Sequence, residues 1–76
     1  MLYIISQNGL RIANLHTLSV VEPEHDREDD GVYKVYVDGS EFARYKEKYT
    51  VLRIMNDIKK YIHMDQNSYY ELPNDT

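Results

Sequence analysis

Polar and apolar positions alternate along most of the first forty-five residues and then change period. Tyr3-Ile4-Ile5-Ser6 and Leu10-Arg11-Ile12-Ala13-Asn14 flank the pair Asn8-Gly9, which favours tight hairpin turns because both central residues need positive φ. The pattern predicts a hairpin over residues 3–14, with Leu10, Ile12 and Asn14 on one face and Arg11 and Ala13 on the other. Residues 18–21 predict a third strand, stopped by Pro23. Residues 32–37 are β-branched and aromatic, Asp38-Gly39 is a second hairpin signal, and residues 41–45 form the return strand.

From about Glu47 the apolar residues recur at intervals of three and four. Val51, Ile54, Met55, Ile58, Tyr61 and Ile62 make a stripe, with Leu52 at its margin and Arg53, Asn56, Asp57, Lys59 and Lys60 opposite. That spacing predicts one amphipathic helix ending near His63-Met64. Asp65-Gln66-Asn67 then turns the chain, residues 68–72 form a short strand, and a disordered tail begins at about residue 73. The expected fold is α+β and a single domain over residues 1–76. It is a small antiparallel sheet of five strands, from two hairpins plus one strand, with the helix packed on one face and a short C-terminal strand.

Composition narrows the function classes. The chain has no cysteine, so neither disulfides nor thiolate-bound zinc enter. A domain this short buries only about 60–65% of its unfolded surface and must hold together by packing or self-association. Eight tyrosines exceed what so small an interior takes, which leaves some for contact with another molecule. A net charge of −4 argues against direct binding to nucleic-acid phosphates. The apolar start is too short for a signal peptide, and no run approaches the roughly 18 residues of a membrane helix. The expected location is the cytoplasm of a bacterial host cell, with no membrane partner.

Candidate chemistry is sparse. Asp26-Arg27-Glu28-Asp29-Asp30-Gly31 resembles the opening of an EF-hand loop, but the ninth position is Lys34 and the twelfth is Val37, where a bidentate glutamate is required. His16, His25 and His63 lack the spacing of a metal motif, and His63 suits the negative end of a helix. No serine sits in a nucleophile elbow, and two of the three glycines serve hairpins, so no phosphate-cradling loop remains. The expectation is a chain that is not an enzyme, with no catalytic residues, metal or cofactor.

Two features point to binding instead. Tyr33 and Tyr36 face away from each other, because an odd spacing on a strand reverses the face, and Tyr69 or Tyr70 is a second candidate contact. The same rule separates Phe42 from Tyr45. The acidic loop over residues 22–30, with Glu24, Asp26, Glu28, Asp29 and Asp30, reads as a solvated surface able to steer a basic partner. Arg11, Lys34 and Arg44 are candidate anion-binding positions, should they converge.

Several stretches carry a resemblance. Tyr3-Ile4-Ile5-Ser6-Gln7-Asn8 with Ile12-Ala13-Asn14-Leu15, Tyr45-Lys46 leading into the helix as far as Ile58, and the ending Tyr69-Tyr70-Glu71-Leu72-Pro73 are similar to short uncharacterised proteins of Gram-positive bacteria and their phages. The pattern departs at Glu47, where a helix-capping threonine would stand, and at Phe42-Ala43-Arg44, where small and acidic residues would. The resemblance implies a phage or mobile-element setting, in which small acidic proteins often inhibit host defence. The combined expectation is a non-enzymatic interaction protein that binds a protein partner and forms a homo-oligomer. Its partner contacts are Tyr33, Tyr36, Tyr69, Tyr70 and the loop acids. The alternatives are a protein that binds a nucleotide-like anion at a subunit interface, and a structural component of an assembly.

Overall fold

The computed structural model describes residues 1–27, 30–63 and 68–75. Six strands and one helix follow the order β1 (Leu2–Ile5), β2 (Ile12–Asn14), β3 (Leu18–Val21), β4 (Tyr33–Val37), β5 (Ser40–Tyr45), α1 (Lys48–Ile62) and β6 (Ser68–Glu71), with a 3-10 turn at Pro23–His25. The α+β class is as expected, but the sheet is not. The strands divide into two three-stranded sheets, β2-β1-β6 and β3-β4-β5. In the first, β1 is central, antiparallel to β2 and parallel to β6, with Ile4 opposite Ala13 on one side and Tyr70 on the other. The C-terminal strand is therefore part of a sheet, paired with the opposite end of the chain. Local alternation carries no information about such a pairing.

The second hairpin has the expected turn. Asp38 and Gly39 both take positive φ, 52° and 84°, and Val37 pairs with Ser40 across a two-residue loop. The Asp38 carboxylate also holds the incoming β3 segment, accepting the backbone N–H of Thr17 at 2.8 Å and of His16 at 3.1 Å. A bulge follows, since Tyr36 faces Glu41 whereas Val35 faces Ala43. The extra residue lets Phe42, Ala43 and Tyr45 all reach the core, where simple alternation had set Phe42 and Tyr45 on opposite faces.

The first hairpin has a longer connection than the Asn8-Gly9 signal predicts. Pairing stops at Ile5–Ile12, and six residues connect the strands. Asn8 does not enter the left-handed region; its side chain instead accepts the Ser6 hydroxyl at 2.7 Å and the Leu10 N–H at 3.0 Å. An asparagine committed to its own neighbours in this way makes a local turn, leaving only Gly9 at positive φ (75°). Gln7 then joins the two sheets. Its backbone N–H donates to the Phe42 carbonyl at 2.9 Å, and its side-chain amide receives the Arg44 N–H and donates to the Arg44 carbonyl.

One core serves both sheets. Leu2 and Ile4 from β1, Val35 and Val37 from β4, Phe42, Ala43 and Tyr45 from β5, and Val51, Ile54 and Ile58 from α1 meet Leu72 there. The helix follows the predicted stripe closely, except that Leu52 and Ile62 stay exposed. The tail is fastened at two points: Tyr45 donates its hydroxyl to the Pro73 carbonyl at 2.7 Å, and Asp75 accepts the Lys46 N–H at 3.0 Å. Pro73, Asn74 and Asp75, expected to be disordered, thus close over the start of α1. The expected turn at Asp65-Gln66-Asn67 lies outside the described residues. Among the described residues no helix is long and apolar enough to cross a membrane.

Candidate functional site

Two acids of the loop pair within the chain. Lys34 lies on the β4 face opposite Val35 and is only 3% exposed. A buried ammonium needs a counter-ion, because the interior cannot replace its hydration. Asp26 supplies one at 2.7 Å, and Asp30 stands at 3.7 Å from both Lys34 Nζ and Arg44 Nη1. Asp26 and Asp30, two of the acids that looked like a cation loop, are turned onto a lysine of the same chain. Glu28 and Asp29 lie outside the described residues.

Two of the three basic residues expected to hold an anion are engaged by carboxylates of the chain. Lys34 is buried and paired, and its cross-strand neighbour Arg44 is held by Glu41 at 3.1 Å. Arg11 sits in the turn before β2, exposed. Among the described residues, Glu22, Glu24 and His25 bring possible ligand atoms within 4.8 Å of one another. Glu24 and His25 are exposed, and Glu22 leans toward Lys48 at 3.9 Å. The Glu24 carboxyl is held below its ordinary range first by its own backbone N–H and then by Glu22, with smaller help from His25 and Lys48.

The tyrosines sort by face. Tyr45 is fully buried, and burial pushes its hydroxyl well above the usual phenol range. Tyr70 is half-buried, stacked edge-on against Tyr61 at 5.5 Å, and donates to Asp57 at 3.1 Å. Desolvation, and after it the Asp57 carboxylate, push Tyr70 up to about 12. Tyr33 packs against the core, and Tyr36 lies on the opposite face, half-buried beside Glu41. Of the four tyrosines expected at a partner surface, only Tyr69 is largely exposed, at 67%.

Tyr69 belongs to a patch that no linear pattern revealed. The register sets Asn14, Tyr3 and Tyr69 side by side in one row and Ile12, Ile5 and Glu71 in the next. These six positions form the outer face of the β2-β1-β6 sheet, away from Leu2, Ile4 and the core. Tyr3, Ile5, Ile12 and Tyr69 line a shallow groove of about 350 Å³ whose walls are wholly apolar. Ile12 is 65% exposed, and Leu10 in the preceding turn is 83% exposed. The four groove residues present on the order of 400 Å² to water, a size that in a monomer is often functional. Sequence reasoning found Tyr69 but missed Tyr3, Ile5 and Ile12, because their meeting depends on the parallel β1–β6 pair.

A second hollow, of about 390 Å³, lies between α1 and the tail and includes Tyr49, Arg53, Asp57, Tyr70 and Asp75. Its two carboxylates already hold Tyr70 and Lys46 in place, so it reads as a seam between elements. Comparison with family models, with curated proteins and with solved structures finds no match to this chain.

Proposed function

We propose that this chain is a non-enzymatic interaction protein that binds a protein partner through the outer face of the β2-β1-β6 sheet. The observation that carries the reading is the apolar groove of Tyr3, Ile5, Ile12 and Tyr69, an uncovered sheet face on a chain whose other tyrosines are mostly enlisted by the fold. Aromatic anchors with two rotatable bonds and a hydroxyl tip suit contacts that must be both apolar and wettable at the rim. The anion-binding alternative gains no support, since Lys34 and Arg44 are held by carboxylates of their own chain. A photo-crosslinking side chain placed at Tyr69 is expected to give a discrete protein adduct that Ile12→Asp abolishes. The same probe at Tyr49, equally exposed at 68% but on the helix, should give none. Equal labelling from both positions, or an adduct indifferent to Ile12→Asp, refutes the reading.

A further inference from the structure

We infer that the occupant of this sheet face is a second copy of the chain, packed face to face across a two-fold axis. The inference rests on the proposed contact face and names its partner. The first argument is charge. Of the six outward positions only Glu71 is an acidic or basic residue, although the chain as a whole carries −4. Of the acids between β3 and β4, Asp26, Asp30 and Glu22 are turned toward Lys34, Arg44 and Lys48. The face therefore offers a highly charged partner little and a second, mostly apolar face like itself a great deal.

The second argument is shape. The two rows differ in bulk, with tyrosines at Tyr3 and Tyr69 and smaller groups at Ile12 and Ile5. A two-fold axis lying between the sheets and perpendicular to the strands exchanges the rows. Tyr3 then rests on Ile5 of the other copy, and the Tyr69 hydroxyl reaches Glu71 of the other copy, where it can donate. Large side chains facing small ones is how sheets interdigitate at their usual separation of about 10 Å. The third argument is area. About 400 Å² of exposed surface on the four groove residues of each copy, enlarged by Leu10 and the rim at Asn14 and Glu71, brings the total for two copies to roughly 1,000 Å², the size at which specific association begins.

Sedimentation equilibrium of the purified full chain tests this from about 10 μM to about 1 mM. The expected result is a species of twice the 9.1 kDa chain mass, weakened at least tenfold by Ile12→Asp and by Tyr69→Asp and unchanged by Tyr49→Asp. Because the pair meets mainly through uncharged groups, with Glu71 the one carboxylate among the six positions, while the copies repel at long range, added salt should leave the dimer unchanged or tighten it. Circular dichroism checks that each variant is folded; should Ile12→Asp unfold, Tyr69→Asp decides. A monomer throughout the range, a dimer untouched by the folded face variants, or one that salt dissolves overturns the inference. If the chain is monomeric yet the Tyr69 crosslink to another protein persists and still depends on Ile12, the second copy is wrong and the contact face stands.

Discussion

Replacing Asp26 by alanine tests the reassignment of the acidic loop. The substitution removes the carboxylate 2.7 Å from a lysine that is only 3% exposed. Deleting one partner of a buried pair typically costs about 3–5 kcal/mol, since the charge left behind is uncompensated. Asp30 remains 3.7 Å away, and the Asp26 side chain itself keeps some solvent contact, so the expected loss is nearer 2–3 kcal/mol. For a domain of this size that lowers the melting temperature by roughly 10–20 °C. The reverse deletion, Lys34→Met, leaves the carboxylates free to turn outward and fills the site with apolar volume. It should cost less than about 1.5 kcal/mol and rescue most of the Asp26→Ala defect when the two are combined. Urea titration followed by far-ultraviolet circular dichroism measures all three. An Asp26→Ala variant within about 0.5 kcal/mol of the parent refutes the reasoning, because a lysine so placed cannot lose its counter-ion cheaply.

Three further outcomes follow from the same structure. Asp38→Asn keeps a residue that tolerates positive φ but removes a carboxylate whose pKa lies below its ordinary value, first through the Thr17 backbone N–H. That group contributes stability complete above its unfolded value and lost as pH falls through the folded one; the parent should therefore lose its advantage over the variant as pH drops below about 4, measured by thermal melts. Tyr70 should deprotonate at about 12 in an alkaline absorbance titration. Its raised value favours the neutral form in the fold, so this contribution is full below the unfolded phenol pKa of about 10 and fades as pH climbs from there through the folded value. Asp57→Asn should lower the Tyr70 midpoint, and an unchanged midpoint counts against the hydrogen bond. Gln7→Ala, which unfastens the amide clamp on Arg44, should cost about 1 kcal/mol and speed amide exchange at Arg44 ahead of the β4 interior.

The sequence made the local features legible and concealed the distant ones. The helix stripe of Val51, Ile54 and Ile58 and the Asp38-Gly39 turn are settled by spacing and by backbone preference within a few residues, and both were readable. Asn8-Gly9 misled, because the same side chain that favours a tight turn also bonds its own neighbours, and Ser6 and Leu10 were there to be bonded. The division into two sheets turns on residues 2–5 meeting residues 68–71, which alternation alone cannot express. Burial of Lys34 was hidden for a related reason: a lysine on a strand reads as solvent-facing until a loop with acids is known to fold over it. The contact face suffered most, since its aromatic row joins Tyr3 to Tyr69 across nearly the whole chain.

The claim that most of the account depends on is that one sheet face is made for contact while comparably exposed apolar groups elsewhere are idle. Methyl-resolved NMR over a concentration series compares them within one molecule, with Ile5 and Ile12 on the sheet against Leu52 and Ile62, 52% and 57% exposed on the helix. The account predicts that the Ile5 and Ile12 methyl resonances move together with the Tyr3 and Tyr69 rings as concentration rises, while Leu52 and Ile62 hold still. Movement at the helix methyls with the sheet unchanged contradicts it, and none at either removes the second copy as the occupant of the face.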